Sequence, residues 1–381
     1  MLTGKQVLGK SSDVGYAKHL QTTWYKNNQA LRSYRPWRET TSIDWQTKPV
    51  HQHTISCDER VWSIPCRIAD DRVVFGCWDN SLQCVDISDG ACLWRFTTQG
   101  PIYSSPAVLA DGSFVVGCED HVLRRISQDG HCLWAFEAQG PFHASATVDG
   151  ARNIVYAGSY DHTLYALDLA TGILLWKQSF DEQVEDDLYS SPALDVDGNI
   201  IVGTDNILMC FSPAGEERWR IIETSRFEGT AAIDYTSGRG VIGTEIDGKI
   251  IVFDIGNGMV LKQFSTDGFV VSCPSLSPQG VAYVGSNDGH VYGIDLKALE
   301  MLWRVNLKCE FRYTPFTVLP SGDALCVGTD ERLHCLAQHT GETLWCLEHS
   351  AGFHSSPLLT DDGCLVIGSH RNAVHFFQWI G

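Results

Sequence analysis

Hydrophobic and polar positions alternate in short runs along most of this chain, and the runs are separated by glycine-containing turn pairs. Segments such as TLYALDL, KIIVFDI and HVYGIDL have a period of two and are rich in β-branched and aromatic residues, which predicts half- or fully buried strands. Asp111-Gly112, Asp197-Gly198 and Asp362-Gly363 supply the positive φ that tight hairpins need. No segment within this pattern sustains a helical period, so it predicts an all-β body.

The pattern repeats. SSPAVLADGSFVVGCEDHVLRRISQDGHCLWAF, starting at Ser104, returns as SSPALDVDGNIIVGTDNILMCFSPAGEERWRI from Ser190 and as SSPLLTDDGCLVIGSHRNAVHFF from Ser355. One glycine marks every copy: Gly76, Gly117, Gly158, Gly203, Gly243, Gly285, Gly328 and Gly368, spaced 40 to 45 residues apart. Eight copies at that period predict an eight-bladed β-propeller of four-stranded antiparallel blades. Each copy reads as an inner strand (IYSSPAV), a second strand ending at the glycine, a third, and a fourth carrying a Leu-Trp pair.

Tryptophan marks the fourth strand at Trp94, Trp134, Trp176, Trp219, Trp303 and Trp345, with Leu261 expected in its place in blade five. The last copy stops after its third strand, at Phe376-Phe377-Gln378-Trp379. Ser42–Thr47, with Trp45, has the form of the missing fourth strand, so the two chain ends are expected to pair and remove an exposed sheet edge. The organisation expected is an N-terminal extension over 1–40 and a propeller over 41–381.

These motifs resemble the quinoprotein-type, tryptophan-docked propeller repeat. The family includes pyrroloquinoline-quinone alcohol dehydrogenases, the propeller lipoprotein of bacterial outer-membrane assembly, and the C-terminal propeller of aminoadipate-semialdehyde-dehydrogenase-like adenylating proteins. The resemblance implies fold far more than activity, because one fold carries unrelated functions. The quinone dehydrogenases of the family stack their cofactor against an adjacent-cysteine disulfide; no Cys-Cys dipeptide occurs here, so no cofactor is expected.

Aligned on the small-residue motif, the copies give two neighbouring columns. Val61, Ile102, Phe142, Leu188, Phe227, Val270, Phe311 and Phe353 are apolar throughout, which predicts packing between blades. The next column is Trp62, Tyr103, His143, Tyr189, Glu228, Val271, Arg312 and His354. Packing alone would favour one residue type at a repeated position, so this column is the candidate site at the channel mouth. His143, Glu228, Arg312 and His354 are the candidate acid–base or anion-binding groups. Trp62, Tyr103, Tyr189, His370 and Arg371 are the candidate ligand contacts, and His370 and Arg371 are expected to add positive charge beside His354. The alternative is a hydrated, hydrogen-bonded plug that seals the axis. The loops between strands two and three reach the same face and add residues such as Trp78, Glu119, Asp120, Tyr160 and Asp161, most of which, each aspartate in particular, are expected to serve turn chemistry.

Composition narrows the partners. A net charge of −18 repels polyanions, so no nucleic-acid partner is expected. Seven Lys/Arg against only Asp13 and Glu39 make the first 40 residues basic, and Val14, Ala17, Leu20 and Trp24 have helical spacing there; a short packed helix or a docking tail for an acidic partner is expected. Fourteen cysteines show no CxxC or other metal-type spacing, and most fall in apolar strands, so reduced core thiols and no metal are expected. The acidic run from Asp181 to Asp187 lacks ordered ligand spacing and reads as a solvated loop. The first twenty residues lack the apolar core of a signal peptide and no run is long enough to cross a bilayer, so a cytoplasmic, membrane-free setting is expected. Two functions fit: a propeller binding a small molecule, a peptide segment or a biosynthetic multienzyme partner at its channel mouth, or a cofactor-independent cyclase, lyase or hydrolase using the same ring.

Overall fold

The computed structural model describes residues 43–180, 188, 190–313, 315–350, 352–360 and 362–379. The acidic run, Tyr189 and the basic N-terminal extension lie outside them. The described chain forms eight four-stranded antiparallel sheets, an eight-bladed β-propeller. Blade 1 comprises Cys66–Ala69, Arg72–Cys77, Ser81–Asp86 and Cys92–Thr97, and blades 2 to 7 occupy 107–137, 147–179, 193–222, 232–265, 275–306 and 317–347. Blade 8 takes Leu358–Leu359, Cys364–Ser369 and Ala373–Gln378 from the C-terminal end and Val50–Ser56 from the other.

The ends therefore pair as expected, but not through the expected segment. The closing strand is Val50–Ser56, in register with Ala373–Gln378 from Val50↔Gln378 to Ser56↔Ala373. Residues 44–47 form a turn instead. Their likeness to a fourth strand comes from Trp45, which packs edge-on to Trp379 at 4.9 Å rather than entering the ladder. The fourth-strand tryptophan position of blade 8 is His53, paired with Phe376 beside a bulge in the same way that Trp94 pairs with Cys84. Register also corrects blade 5: Lys262, opposite Val252, occupies the tryptophan position, and Leu261 does not.

Buried apolar residues gather into eight clusters, one at each junction between neighbouring blades; Val61, Phe75, Val366 and Phe376, for example, join blade 1 to blade 8. The marker glycine makes this packing possible. A Cβ at Gly76 would overlap Ile102 of the next blade; at Gly117 it would overlap Phe142, and at Gly368 it would meet Val61, completing the circle. The invariantly apolar column is buried at every position from Val61 to Phe353.

The paired serines of the SSP motif have separate duties. The first fixes its own blade: Gly117 N–H donates to Ser104 Oγ at 2.8 Å, and Gly368 N–H to Ser355 Oγ at 2.9 Å. The second links blades. Ile64 N–H donates to Ser105 Oγ, Ser105 N–H to Ser145 Oγ, and Ser145 N–H to Ser191 Oγ, each at 3.0 Å, in a belt around the axis. Buried backbone donors need such partners. The inner strand itself is shorter than expected, two to four residues, and starts after the motif.

Tryptophans dock most of the blades onto the next, blades 5 and 8 excepted. Trp94 Nε1 donates to Gln128 O, Trp134 to Leu169 O, Trp176 to Pro213 O, Trp219 to Ile255 O and Trp303 to Gln338 O, all at 2.8 to 2.9 Å. Each ring lies against a positive-φ glycine of the neighbouring turn, such as Gly130 under Trp94 and Gly172 under Trp134. The junction between blades 5 and 6 departs on both sides. Lys262 replaces the tryptophan, and the receiving turn carries Leu299 at φ 59° where the others carry glycine.

All fourteen cysteines are free thiols. Most are buried, but Cys92 and Cys132, expected in the core, are exposed on fourth strands, the outermost of each blade.

Candidate functional site

The varied column sits in the lead-in to each inner strand, one residue beyond the buried apolar anchor. A second contributor lies two residues past each marker glycine, in the hairpin joining strands two and three. Trp78, Glu119, Tyr160, Glu245 and His370 all occupy that hairpin position. Turn chemistry does explain the aspartates there: Asp120 and Asp161 accept from the backbone N–H of Gln99 and Gln139 at 3.0 and 2.9 Å. Trp78, Glu119 and Tyr160 are different, because their side chains join the column residues. Aligning the hairpins by the same logic as the lead-ins would have found them.

Together the two sets make a continuous arc of seven rings across blades 3, 2, 1 and 8. Tyr160 lies 4.4 Å from His143, His143 stacks on Tyr103 at 4.1 Å, and Tyr103 lies 5.0 Å from Trp78. Trp78 then meets Trp62 at 4.4 Å, Trp62 meets His354 at 4.8 Å, and His354 meets His370 at 3.8 Å. The Arg60 guanidinium sits 5.5 Å over the Trp78 ring. Within this arc the indole N–H groups of Trp62 and Trp78 are both buried and neither has a hydrogen-bond partner among the described residues. A buried donor left in that state is costly, which marks the place where an acceptor belongs.

His143 is held from both sides. Its Nδ1 accepts from the Tyr160 hydroxyl at 2.7 Å, and its Nε2 contacts Glu119 Oε1. Burial pushes its imidazole down to about 4, and that neutral tautomer satisfies both contacts. His354 is driven lower, to about 3, first by burial and then by His370 and Arg60; burial also lowers His370. The positive subsite expected here therefore differs from what the burial produces: both rings are neutral near pH 7. Arg371 is exposed and donates to Ser350 O.

The opposite side, blades 5 to 7, is acidic and less aromatic. Glu228 accepts from the Tyr313 hydroxyl at 3.0 Å, reaching past the small, buried Val271 of blade 6. Burial, and then Glu245, raise the Glu228 carboxyl above its ordinary value. Arg312 is exposed and bonds Glu310 at 2.9 Å. Glu245, Phe269, Val271, Asn287, Arg312 and Tyr313 line a cavity of about 370 Å³. No hydrogen bond or ion pair joins any two of His143, Glu228, Arg312 and His354.

The fold defines the class: an eight-bladed propeller of quinoprotein-like repeats, with dissimilar side chains gathered in the lead-ins to its inner strands. The chain belongs to the family described as "Outer membrane protein assembly factor BamB", which matches residues 36–149, 119–268 and 287–376. This is the family that the repeat motif led us to expect. Among curated proteins it is similar to the beta-alanine-activating enzyme of Drosophila melanogaster, 24% identical over 225 residues, and to the tetrathionate hydrolase of Acidithiobacillus ferrooxidans, 23% identical over 200. Each match covers 52% of this chain, but the chain spans only 21% and 36% of those relatives' lengths. Among solved structures it is similar to BamB from Moraxella catarrhalis (15% identity, TM-score 0.68, covering 87% of this chain and 100% of that one). It is also similar to the computationally designed Ika8 protein (18%, TM-score 0.72, 86% and 99%). Identities this low bear on the fold alone.

Proposed function

We propose that this protein is a binding propeller that seats a small molecule or peptide segment on the aromatic half of its channel mouth. The ligand carries a flat face to stack in the arc and an acceptor, a carbonyl or carboxylate, to take the two indole N–H groups. The pair of buried, unpartnered donors inside the ring arc is the observation that supports this reading. Catalysis by the same ring is the weaker reading. A general base works best with its pKa near the operating pH, and His143 and His354 are displaced to about 4 and 3.

The test is a thermal-shift screen of small carboxylates, amides and short peptides, together with native mass spectrometry of the purified protein. Hits that stabilise the protein and weaken by tenfold or more in Trp62→Phe, which keeps a ring and loses the N–H, support the reading. Ligand responses indifferent to Trp62, Trp78 and Tyr103 would refute it, as would turnover that depends on His143 and His354.

A second reading concerns partners. The similarity to part of a much longer amino-acid-activating enzyme supports a propeller that works beside a biosynthetic multienzyme. We place it in the cytoplasm, since fourteen free thiols, two of them exposed, suit a reducing compartment. Cell fractionation and affinity capture test both points.

A further inference from the structure

Ring closure brings together three histidines that the sequence keeps far apart. His51 lies on the N-terminal closing strand, His375 on the last strand beside it, and His349 on the link from blade 7 to blade 8. One ring nitrogen of each lies within 4.8 Å of the others. The rings are in contact as well: His349 and His375 centroids are 4.2 Å apart, and His51 and His349 are stacked at 5.4 Å.

The bonding around His375 is the second observation. Its side chain is fully buried, its Nδ1 is bonded to Thr54 Oγ1 at 2.9 Å, and its Nε2 is buried with no partner among the described residues. The same Thr54 hydroxyl bonds His51 Nε2 at 2.9 Å, so one residue orients two of the three imidazoles. A polar atom held so deep without a partner points to a ligand.

We propose that His51, His349 and His375 form a binding site for a zinc-type divalent transition-metal ion that clasps the two ends of the chain. Three imidazoles with a fourth position open to water are an established zinc donor set, and imidazole selects such ions over calcium or magnesium, which take oxygen ligands. Zn–N bonds of about 2.0–2.1 Å at tetrahedral angles place the nitrogens about 3.3 Å apart, so the cluster must draw in, with the exposed His51 making the largest adjustment while Thr54 keeps hold of the buried His375. Thr54 acts as the outer-shell partner that fixes ring orientation. The seam is the one place where closure depends on noncovalent pairing of the termini, so an ion bound only by the closed ring stabilises it by mass action.

The experiment uses the full chain, stripped with chelator and desalted, then titrated with Co(II) and Zn(II). Expected are the intense visible bands of tetrahedral, nitrogen-ligated Co(II) without thiolate charge transfer, and a rise in melting temperature with Zn(II). Both should be lost, with affinity falling at least about tenfold, in His51→Ala and in His349→Ala, while His131→Ala keeps them. His375→Gln should behave likewise; if it fails to fold, the exposed His51→Ala still decides. A spectrum that stays that of hydrated Co(II), a thiolate signature, or a melting shift that survives His51→Ala would each overturn the site.

Discussion

Trp345 donates its indole N–H to the backbone carbonyl of Trp45 at 3.1 Å, across 300 residues of chain. Trp379 does the same to Thr47 O at 2.8 Å. In other blades a docking tryptophan meets the turn between the neighbour's third and fourth strands. Blade 8 has no such turn, because its fourth strand, Val50–Ser56, does not follow its third strand in sequence, and residues 43–47 stand in for it. Trp45→Ala should therefore cost about 2–4 kcal/mol, somewhat below the range of about 3–5 kcal/mol for a fully buried tryptophan because Trp45 is half-buried, read by urea denaturation. Truncation through Ser56 should yield aggregating or dimeric protein by size-exclusion chromatography, since it exposes a sheet edge. A monomeric, cooperatively folding product would contradict this account of closure.

The marker glycines should be the least replaceable small residues in the protein. Gly117→Ala forces a Cβ into Phe142, whereas a Cβ at Gly150 meets nothing within 4 Å. We expect Gly117→Ala to cost about 3 kcal/mol or more through overpacking, and Gly150→Ala to stay within about 0.5 kcal/mol. Chemical denaturation of the two variants side by side checks the contrast.

Buried neutral histidines should give the protein a steep acid limit. The folded-state pKa values of His354 and His375 are depressed, to about 3 and about 4. Groups depressed in this way add stability above the unfolded value near 6.5, and that contribution fades as pH falls through the folded values. His143, which burial also lowers to about 4, adds to the same slope. Stability should thus fall from about pH 6.5 toward pH 4 by an amount on the order of a few kcal/mol, read as a drop in melting temperature. His354→Phe should flatten part of that slope. An unchanged slope would show that His354 is not the group responsible.

Glu228 carries the opposite sign. Its raised pKa means that it favours folding when protonated and loses that contribution as pH rises through the folded value. Glu228→Gln keeps an acceptor for the Tyr313 hydroxyl and should be neutral or mildly stabilising at pH 8, with less benefit at pH 4. Stability curves at the two pH values test it.

The junction of blades 5 and 6 allows a double-mutant cycle. Lys262→Trp alone should be neutral or harmful, because Leu299 occupies the place where other turns offer glycine. Lys262→Trp combined with Leu299→Gly should recover a docked ring, with a coupling of about 0.5–3 kcal/mol. Strict additivity would show that the two positions are independent.

Blade number and order were legible because each repeat writes its own local signals: Asp-Gly turns, the strand-two glycine and the Leu-Trp pair. The closing strand was misplaced because Ile43-Asp44-Trp45 copies the spelling of a fourth strand while serving as a turn, and the true strand, from Val50 to Ser56, spends five of its seven positions on polar side chains, His51, Gln52, His53, Thr54 and Ser56. The apolar column was readable as packing since one constraint acts at every blade. The site was half readable. Trp62, Tyr103 and His143 stand out in their column, but Trp78 and Tyr160 sit among aspartates and asparagines that do serve turns. Nothing in the spacing of His51, His349 and His375 could have joined them, because only closure of the ring does so.

The partnership of tryptophan and glycine has a consequence for how such rings change over generations. A blade moved whole between ordinary positions brings both halves of the partnership, an indole for the next turn and a glycine floor for the preceding ring, and so fits its new neighbours. At the junction of blades 5 and 6 neither half is present: Lys262 stands in the ring's place and Leu299 in the glycine's, so an ordinary blade set on either side of that junction would find no partner there.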